Sequence, residues 1–378
     1  MLTRRERLMR TLRGEAVDRP AVCFYEINGL DERPDDTDPF NIYTHPSWRP
    51  VIDLARERTD RIVMRSVPWR IEEPDPLGGL VTDTVEVRDG SRFVTRSIRA
   101  GERMLIQRTR RDADVDTVWT LEHLLKDVDD LKAYLQLPPA AVAGHPDTTG
   151  VPAAEAALGE TGIVLIDTPD PLCLAAALFD LGEYTVVAMT EPDLFRRLLD
   201  RFAAILLPRT EAVAEALPGR LWRIFGPEYA TAPYLPPELF EAYVCTYVRP
   251  MIDAIHRTGG FARIHCHGNL AGVLDRIVAM GADGIDPIEP PPQGDVLLRD
   301  VRSRYGKQLV LFGNLEISDL ENLPPDQFVH TVRRALDDGT AADGRGFVLM
   351  PSAAPYGRVL SERTRKNYEI MVELGTGG

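Results

Sequence analysis

Ala262-Arg263-Ile264-His265-Cys266-His267, followed at once by Gly268-Asn269-Leu270, is a short apolar run that ends in chemistry. It reads as a buried parallel strand, and seven other runs share its character: Ala21–Ile27, Arg61–Ser66, Gly162–Asp167, Leu221–Phe225, Gly284–Pro287, Gln308–Phe312 and Gly346–Met350. Longer amphipathic segments separate them. Pro46-Ser47-Trp48 opens a helix running to Arg58, Pro192 opens one to about Leu217, and Pro236-Pro237 opens a third that Gly259-Gly260 ends. A fourth spans Ala271 to Met280, and the last runs from about Glu362 to Leu374. Eight strands alternating with helices predict a closed (β/α)8 TIM barrel. A doubly wound open sheet needs a glycine-rich phosphate loop after its first strand, and Glu26-Ile27-Asn28-Gly29-Leu30 is not one.

The whole chain, 1–378, is expected to be one domain, a length common for α/β barrels. One segment breaks the rhythm between the second and third strands. Over about residues 71–120 the residues alternate on either side of Asp89-Gly90, which predicts a β-hairpin excursion mounted on the barrel as a lid or a dimer contact.

Side chains alternate faces along a strand, so His265 and His267 point the same way, and at a barrel strand's C-terminal end that way is the interior mouth. Cys266 then faces the helices as a packed thiol. Two imidazoles at i and i+2 can share one metal. Glu316, Asp286 and Glu289 lie at equivalent depth on neighbouring strands as sources of a third ligand. Two histidines and a carboxylate leave coordination positions open, which suits catalysis better than structural binding.

Other polar residues follow strand ends. Glu26 and Glu228 are candidates for general acid–base work or substrate anchoring. Tyr356 is a hydrogen-bond donor to substrate and Arg358 a carboxylate binder. Asp167 reads as a helix cap or a mouth carboxylate, with the cap the commoner role, and Asp295 reads as a cap for the helix after it.

Composition narrows the function from outside. A formal charge of −14 argues against a nucleic-acid partner. The start, Met1-Leu2-Thr3-Arg4-Arg5-Glu6-Arg7, lacks a signal-peptide core, and no stretch is long enough for a membrane span. Four cysteines without a Cys-x-x-Cys pair fit reduced thiols and a cytoplasmic location.

In order along the chain, several words resemble the uroporphyrinogen decarboxylase superfamily. They are Thr3-Arg4-Arg5-Glu6-Arg7 with Leu12-Arg13-Gly14-Glu15 and Asp18-Arg19-Pro20, then Gly226-Pro227-Glu228-Tyr229 and Leu235 to Phe240. His265 to Asn269, Gly281-Ala282-Asp283-Gly284, Gly313-Asn314 and Met350-Pro351-Ser352 complete the set. The decarboxylases proper carry Met-Arg-Gln-Ala-Gly-Arg. Here only Met64-Arg65-Ser66 comes near it, which disfavours tetrapyrrole decarboxylation.

The resemblance is closer to the zinc methyltransferases that move methyl groups between corrinoid proteins and thiols such as coenzyme M. Those use His-x-Cys and a distant Cys. Here the first position is His265, the second reads His267, and the third falls near Glu316. The implied ligand set, His265, His267 and Glu316, is harder than its thiolate counterpart and suits water, an alcohol or a carbonyl oxygen. Zinc is the expected metal, with iron or manganese as alternatives; a small molecule is the expected substrate and a corrinoid protein the expected partner. The resemblance implies a methyl or other one-carbon transferase. The runner-up is a metal-assisted decarboxylase, lyase or hydrolase of a small oxygenated acid, and the third reading is a non-catalytic barrel.

Overall fold

A computed structural model of the chain describes residues 2–342 and 344–377. Eight parallel strands run β1 (Ala21–Val22), β2 (Arg61–Arg65), β3 (Gly162–Pro169), β4 (Leu221–Phe225), β5 (Phe261–His265), β6 (Gly284–Asp286), β7 (Val310–Leu315) and β8 (Phe347–Pro351). They pair in the order β1-β8-β7-β6-β5-β4-β3-β2, which is the expected TIM barrel and matches the predicted strand positions. The seam between β1 and β2 is closed through Asp60, whose backbone N–H donates to the Val22 carbonyl (2.7 Å) while its carboxylate accepts from the Val22 N–H (2.8 Å).

Strand periodicity divides the core in two. Residues of one parity, among them Ala21, Cys23, Ile163, Leu165, Leu221, Val310, Phe312 and Val348, fill the barrel interior. Those of the other, among them Val22, Val164, Ile224, Ala262, Ile264 and Cys266, pack on the helices. The first helix, Arg4–Arg13, is held at its start by a capping box between Thr3 and Glu6 and sends Leu8 and Leu12 into the interior cluster, so it plugs the N-terminal end.

The excursion is larger than a hairpin. The expected pair across Asp89-Gly90, Val81–Arg88 with Ser91–Ala100, is present, and Arg103–Asp112 and Val118–Glu122 extend it to a four-stranded antiparallel sheet. A short second sheet, Trp69–Ile71 with Gly144–Pro146, fastens its two ends together. The turn after Asp112 pairs with the last βα loop through a Val115–Gly357 bridge, so the excursion reaches the C-terminal end of the barrel.

Two expected caps are corrected. Asp167 does not cap a helix; it faces inward and pairs with Arg223, and the cap is Asp170, whose Oδ1 accepts from the Cys173 N–H (2.6 Å). Asp295 accepts from the Ala271 N–H instead of capping the helix at Leu298.

Candidate active site at the barrel mouth

The inward positions near the C-terminal strand ends carry Tyr25, Asp167, Arg223, Arg263, His265 and Asp286, and the loops just above add Glu26, Glu228, His267, Glu289, Glu316 and Tyr356. Arg263 and His265 share a parity on β5 with His267, as the alternation predicts, and Cys266 is buried in the outer shell. Burial pushes the Cys266 thiol far above its ordinary range, so it is inert.

The two imidazoles lie edge to face with ring centroids 4.6 Å apart. Each is held by a carboxylate on its Nδ1: His265 by Asp286 Oδ2 (2.9 Å) and His267 by Glu289 Oε1 (2.9 Å). Asp286 is fully buried, yet the adjacent Arg263 and His265 outweigh that desolvation and hold it down at about 2. An ionised carboxylate only accepts, so the His265 Nδ1 carries the proton and its Nε2 keeps a lone pair. Burial lowers the His265 pKa against the pull of Asp286, which keeps the ring neutral. For His267 burial acts the same way, but the Glu289 hydrogen bond outweighs it and raises the pKa. Glu289 also accepts from the Gly268 N–H (2.6 Å), which ties the loop to the ligand pair.

Glu316 lies past the end of β7. Only 5% of it is exposed, its Oε1 meets no donor among the described residues, and its Oε2 has a long contact from Ser352 Oγ (3.4 Å). Burial, reinforced by Glu289, pushes its pKa up to about 7; His267 pulls the other way, so the two lie in each other's field. The expected triad is nonetheless not a closed ligand set: among the described residues no group of three or more His, Cys, Asp or Glu is arranged to hold a metal ion. The donor chemistry does fit a cation. Imidazoles fixed through Nδ1 by carboxylates are oriented as ligating histidines are, and a buried carboxylate oxygen without a donor lacks only a positive partner.

Glu26 is open to solvent but recessed, and desolvation together with Asp116 and Asp167 raises its pKa against the pull of Arg223. Glu228 is positioned by Gly226, whose backbone (φ 119°) passes so close to Cys173 and Asp170 that any side chain there would collide. The Gly226 N–H donates to Glu228 Oε2 (3.1 Å). Tyr356 is about half exposed and lies in the field of Glu26.

Arg358 is not available to a substrate. Its guanidinium donates to the carbonyls of Pro39, Asn41 and Ala113 and to Thr44 Oγ1, because the loop it sits on is sewn both to the loop after β1 and to the excursion.

Three residues of the mouth escaped the sequence reading. Arg223 grips Asp167 with two bonds (2.6 and 3.0 Å) and donates its third to Tyr25 Oη. The Tyr25 ring in turn stacks on His265, with centroids 6.0 Å apart. Arg263, fully buried, sits over the Phe312 ring and 2.9 Å from Asp286 Oδ1. The available signal was an arginine at an inward position two residues before the end of a buried strand, which demands a partner.

Comparison with known proteins bears on the family and the fold. Among solved structures, a methyltransferase from Methanosarcina mazei aligns over 99% of this chain and 99% of its own, with a TM-score of 0.59 and 14% identity, which is a likeness of fold. A D-psicose 3-epimerase, solved with D-fructose, aligns over 61% of this chain and 95% of its own at a TM-score of 0.33 and 11% identity. No curated protein matches the sequence. Among the described residues no helix is long and apolar enough to cross a membrane. The sequence matches uroporphyrinogen decarboxylase (URO-D) over residues 166–373, more than half of its length and the part that carries β4 to β8 with both histidines and Glu316. The chain belongs to the uroporphyrinogen decarboxylase (URO-D) family.

Proposed function

We propose that this protein is a metal-dependent methyltransferase whose divalent cation, zinc by preference, is held by His265 Nε2, His267 Nε2 and Glu316. One observation carries the reading: at the same mouth there are two imidazoles with carboxylate-bonded Nδ1 atoms and a buried carboxylate, Glu316, whose Oε1 meets no donor among the described residues. The URO-D family and the full-length likeness of fold to a protein named a methyltransferase support the reaction class.

The cation, when bound, supplies Lewis acidity that lowers the pKa of an acceptor group. The chain does the rest. Asp286 and Glu289 fix the tautomer and tilt of the two rings, and Arg263 keeps Asp286 ionised for that task. Glu26, whose pKa burial raises above that of an ordinary carboxylate, takes or returns a proton, and Glu228 shares that role. The Tyr356 hydroxyl donates a hydrogen bond to the substrate. A corrinoid protein is the proposed methyl carrier, with the excursion sheet forming part of the rim it meets.

Elemental analysis of the purified protein against His265→Ala is the first test. About one divalent metal per chain in the parent and none in the variant is the expected result, and equal content would remove the site. Metal-dependent methyl transfer from methylcobalamin to candidate thiols or hydroxyl acceptors tests the reaction. Carbon dioxide release from a small acid, without methyl transfer, would replace it with the lyase reading.

A further inference from the structure

The chain leaves β1 through a tight corner that its sequence makes costly. The Ile27 N–H donates to the Phe24 carbonyl (3.1 Å) and the two residues form an antiparallel bridge, so Tyr25 and Glu26 are the central pair of a β-turn. Tyr25 has φ 57° there. A first central residue in the left-handed region is normally glycine, asparagine or aspartate, and a bulky aromatic is an outlier. Asp89 and Ala342 also have positive φ, but both are exposed, whereas Tyr25 is buried. Strain of this kind persists only where the surroundings hold it, and it collects at functional sites.

The side chain shows what the corner is for. The Tyr25 ring packs in the barrel interior, and Arg223, itself fixed on Asp167, donates to its hydroxyl. The ring lies nearly parallel to that of His265, with centroids 6.0 Å apart and 28° between the planes. His265 has a use for that contact. The Asp286 hydrogen bond restrains its Nδ1, but hydrogen bonds tolerate bending, and the imidazole can still rock about χ2. An aromatic face held against it limits the rocking. We infer that Tyr25 is a positioning residue: the corner and Arg223 together hold its ring against His265 and so fix the direction of the Nε2 lone pair. The consequence for cation binding rests on the metal site proposed above; the restraint on His265 does not.

Two substitutions separate the ring from the backbone. Asparagine accepts a positive φ, so Tyr25→Asn keeps the corner and removes the ring. Tyr25→Phe keeps the ring and removes the hydroxyl alone. The first reading is NMR of metal-free protein carrying labelled histidine. The parent and Tyr25→Phe are expected to give one sharp set of His265 ring resonances, and Tyr25→Asn a broadened or doubled set. The second is competition for zinc against a chelator. Tyr25→Asn is expected to lose at least about ten-fold in retention, and Tyr25→Phe less than about three-fold. Thermal melts establish that the variants are folded, and Tyr25→Leu takes the place of Tyr25→Asn should that chain not fold. Unchanged His265 resonances or parent-like zinc retention in the ring-deleted variant would overturn the inference, as would equal losses in that variant and Tyr25→Phe. A parent that takes up no zinc would remove the metal site, and the His265 resonances would still decide the role of Tyr25.

Discussion

The two ends of the barrel treat charge in opposite ways. At the N-terminal end a cleft of about 1040 Å3 is lined by Arg7, Asp18, Arg19, Arg302 and Arg345, and the ion pairs there are closed. Arg7 bonds Asp18 (2.7 Å) and Asp60 (2.6 Å), Arg19 bonds Asp60 (2.7 Å), and Arg345 bonds Asp283 (3.2 Å). At the C-terminal end Glu26 and Glu316 Oε1 stand without donors among the described residues, and a buried Asp170 oxygen does too. A protein spends stability where it keeps unbalanced polar atoms, and in a barrel that end is the one that carries chemistry.

The largest effect expected from breaking this contrast is at the balanced end. Asp60→Ala leaves two guanidiniums and the Val22 N–H without their acceptor and unfastens the β1–β2 seam. A loss of about 3–5 kcal/mol in urea unfolding is expected. A smaller loss than that of Asp167→Ala at the mouth would reverse the comparison.

Next comes the orientation of the ligands. Asp286→Asn, which also takes the counter-charge from buried Arg263 and so needs a thermal melt beside it, is expected to weaken metal retention by about 10–100-fold in a chelator competition. Retention as strong as the parent's would mean that the carboxylate does not set the ring.

Glu316 gives a prediction whose sign depends on pH. Its pKa of about 7 in the folded chain lies above the ordinary 4.5, so between those values the folded state binds more protons than the unfolded one. The stability this group contributes is present below about pH 4.5 and is lost as pH rises through about 7. Glu316→Gln should therefore stabilise the metal-free protein at pH 8 by about 1–2 kcal/mol and change little at pH 4.5, as read by thermal melts. The same substitution should abolish metal retention. Equal effects at the two pH values would show that Glu316 does not titrate in this range. Protons compete for Glu316 and His267, so the parent's metal affinity should fall as pH drops below about 7.

The smallest effect sharpens the contrast most. Glu26→Gln should alter stability by less than about 0.5 kcal/mol, because its side chain has no partner to lose. A substantial loss would mean the group is structural after all.

The barrel was legible because its strands are short apolar runs between glycine and proline punctuation, and because a period of two fixes which side chains face inward. That period placed His265 and His267 together and sent Cys266 to the shell. What it could not carry is pairing between strands distant in sequence. Tyr25 and Arg223 meet across 198 residues, and no local pattern links them. The preference for a cap over a mouth carboxylate at Asp167 has a related cause. The rule for a cap describes a residue before a helix, and it served for Asp170 three positions later, while the tertiary partner Arg223 claimed the first aspartate. Arg358 looked free because the carbonyls that occupy it come from two distant segments, Pro39 with Asn41 and Ala113. The third and fourth excursion strands were missed because only the Asp89-Gly90 turn carries a strong hairpin signal.

The bridge between Val115 and Gly357, with Arg358 clamped to Ala113 beside it, means that the excursion and the final βα loop are one mechanical unit although some 240 residues separate them. Grafting another protein's insert onto this scaffold would have to transplant Pro355–Arg358 as well, or the rim above Glu26 would lose its shape. The insert is therefore a built-in part of the barrel's C-terminal face and not an ornament that can be exchanged freely.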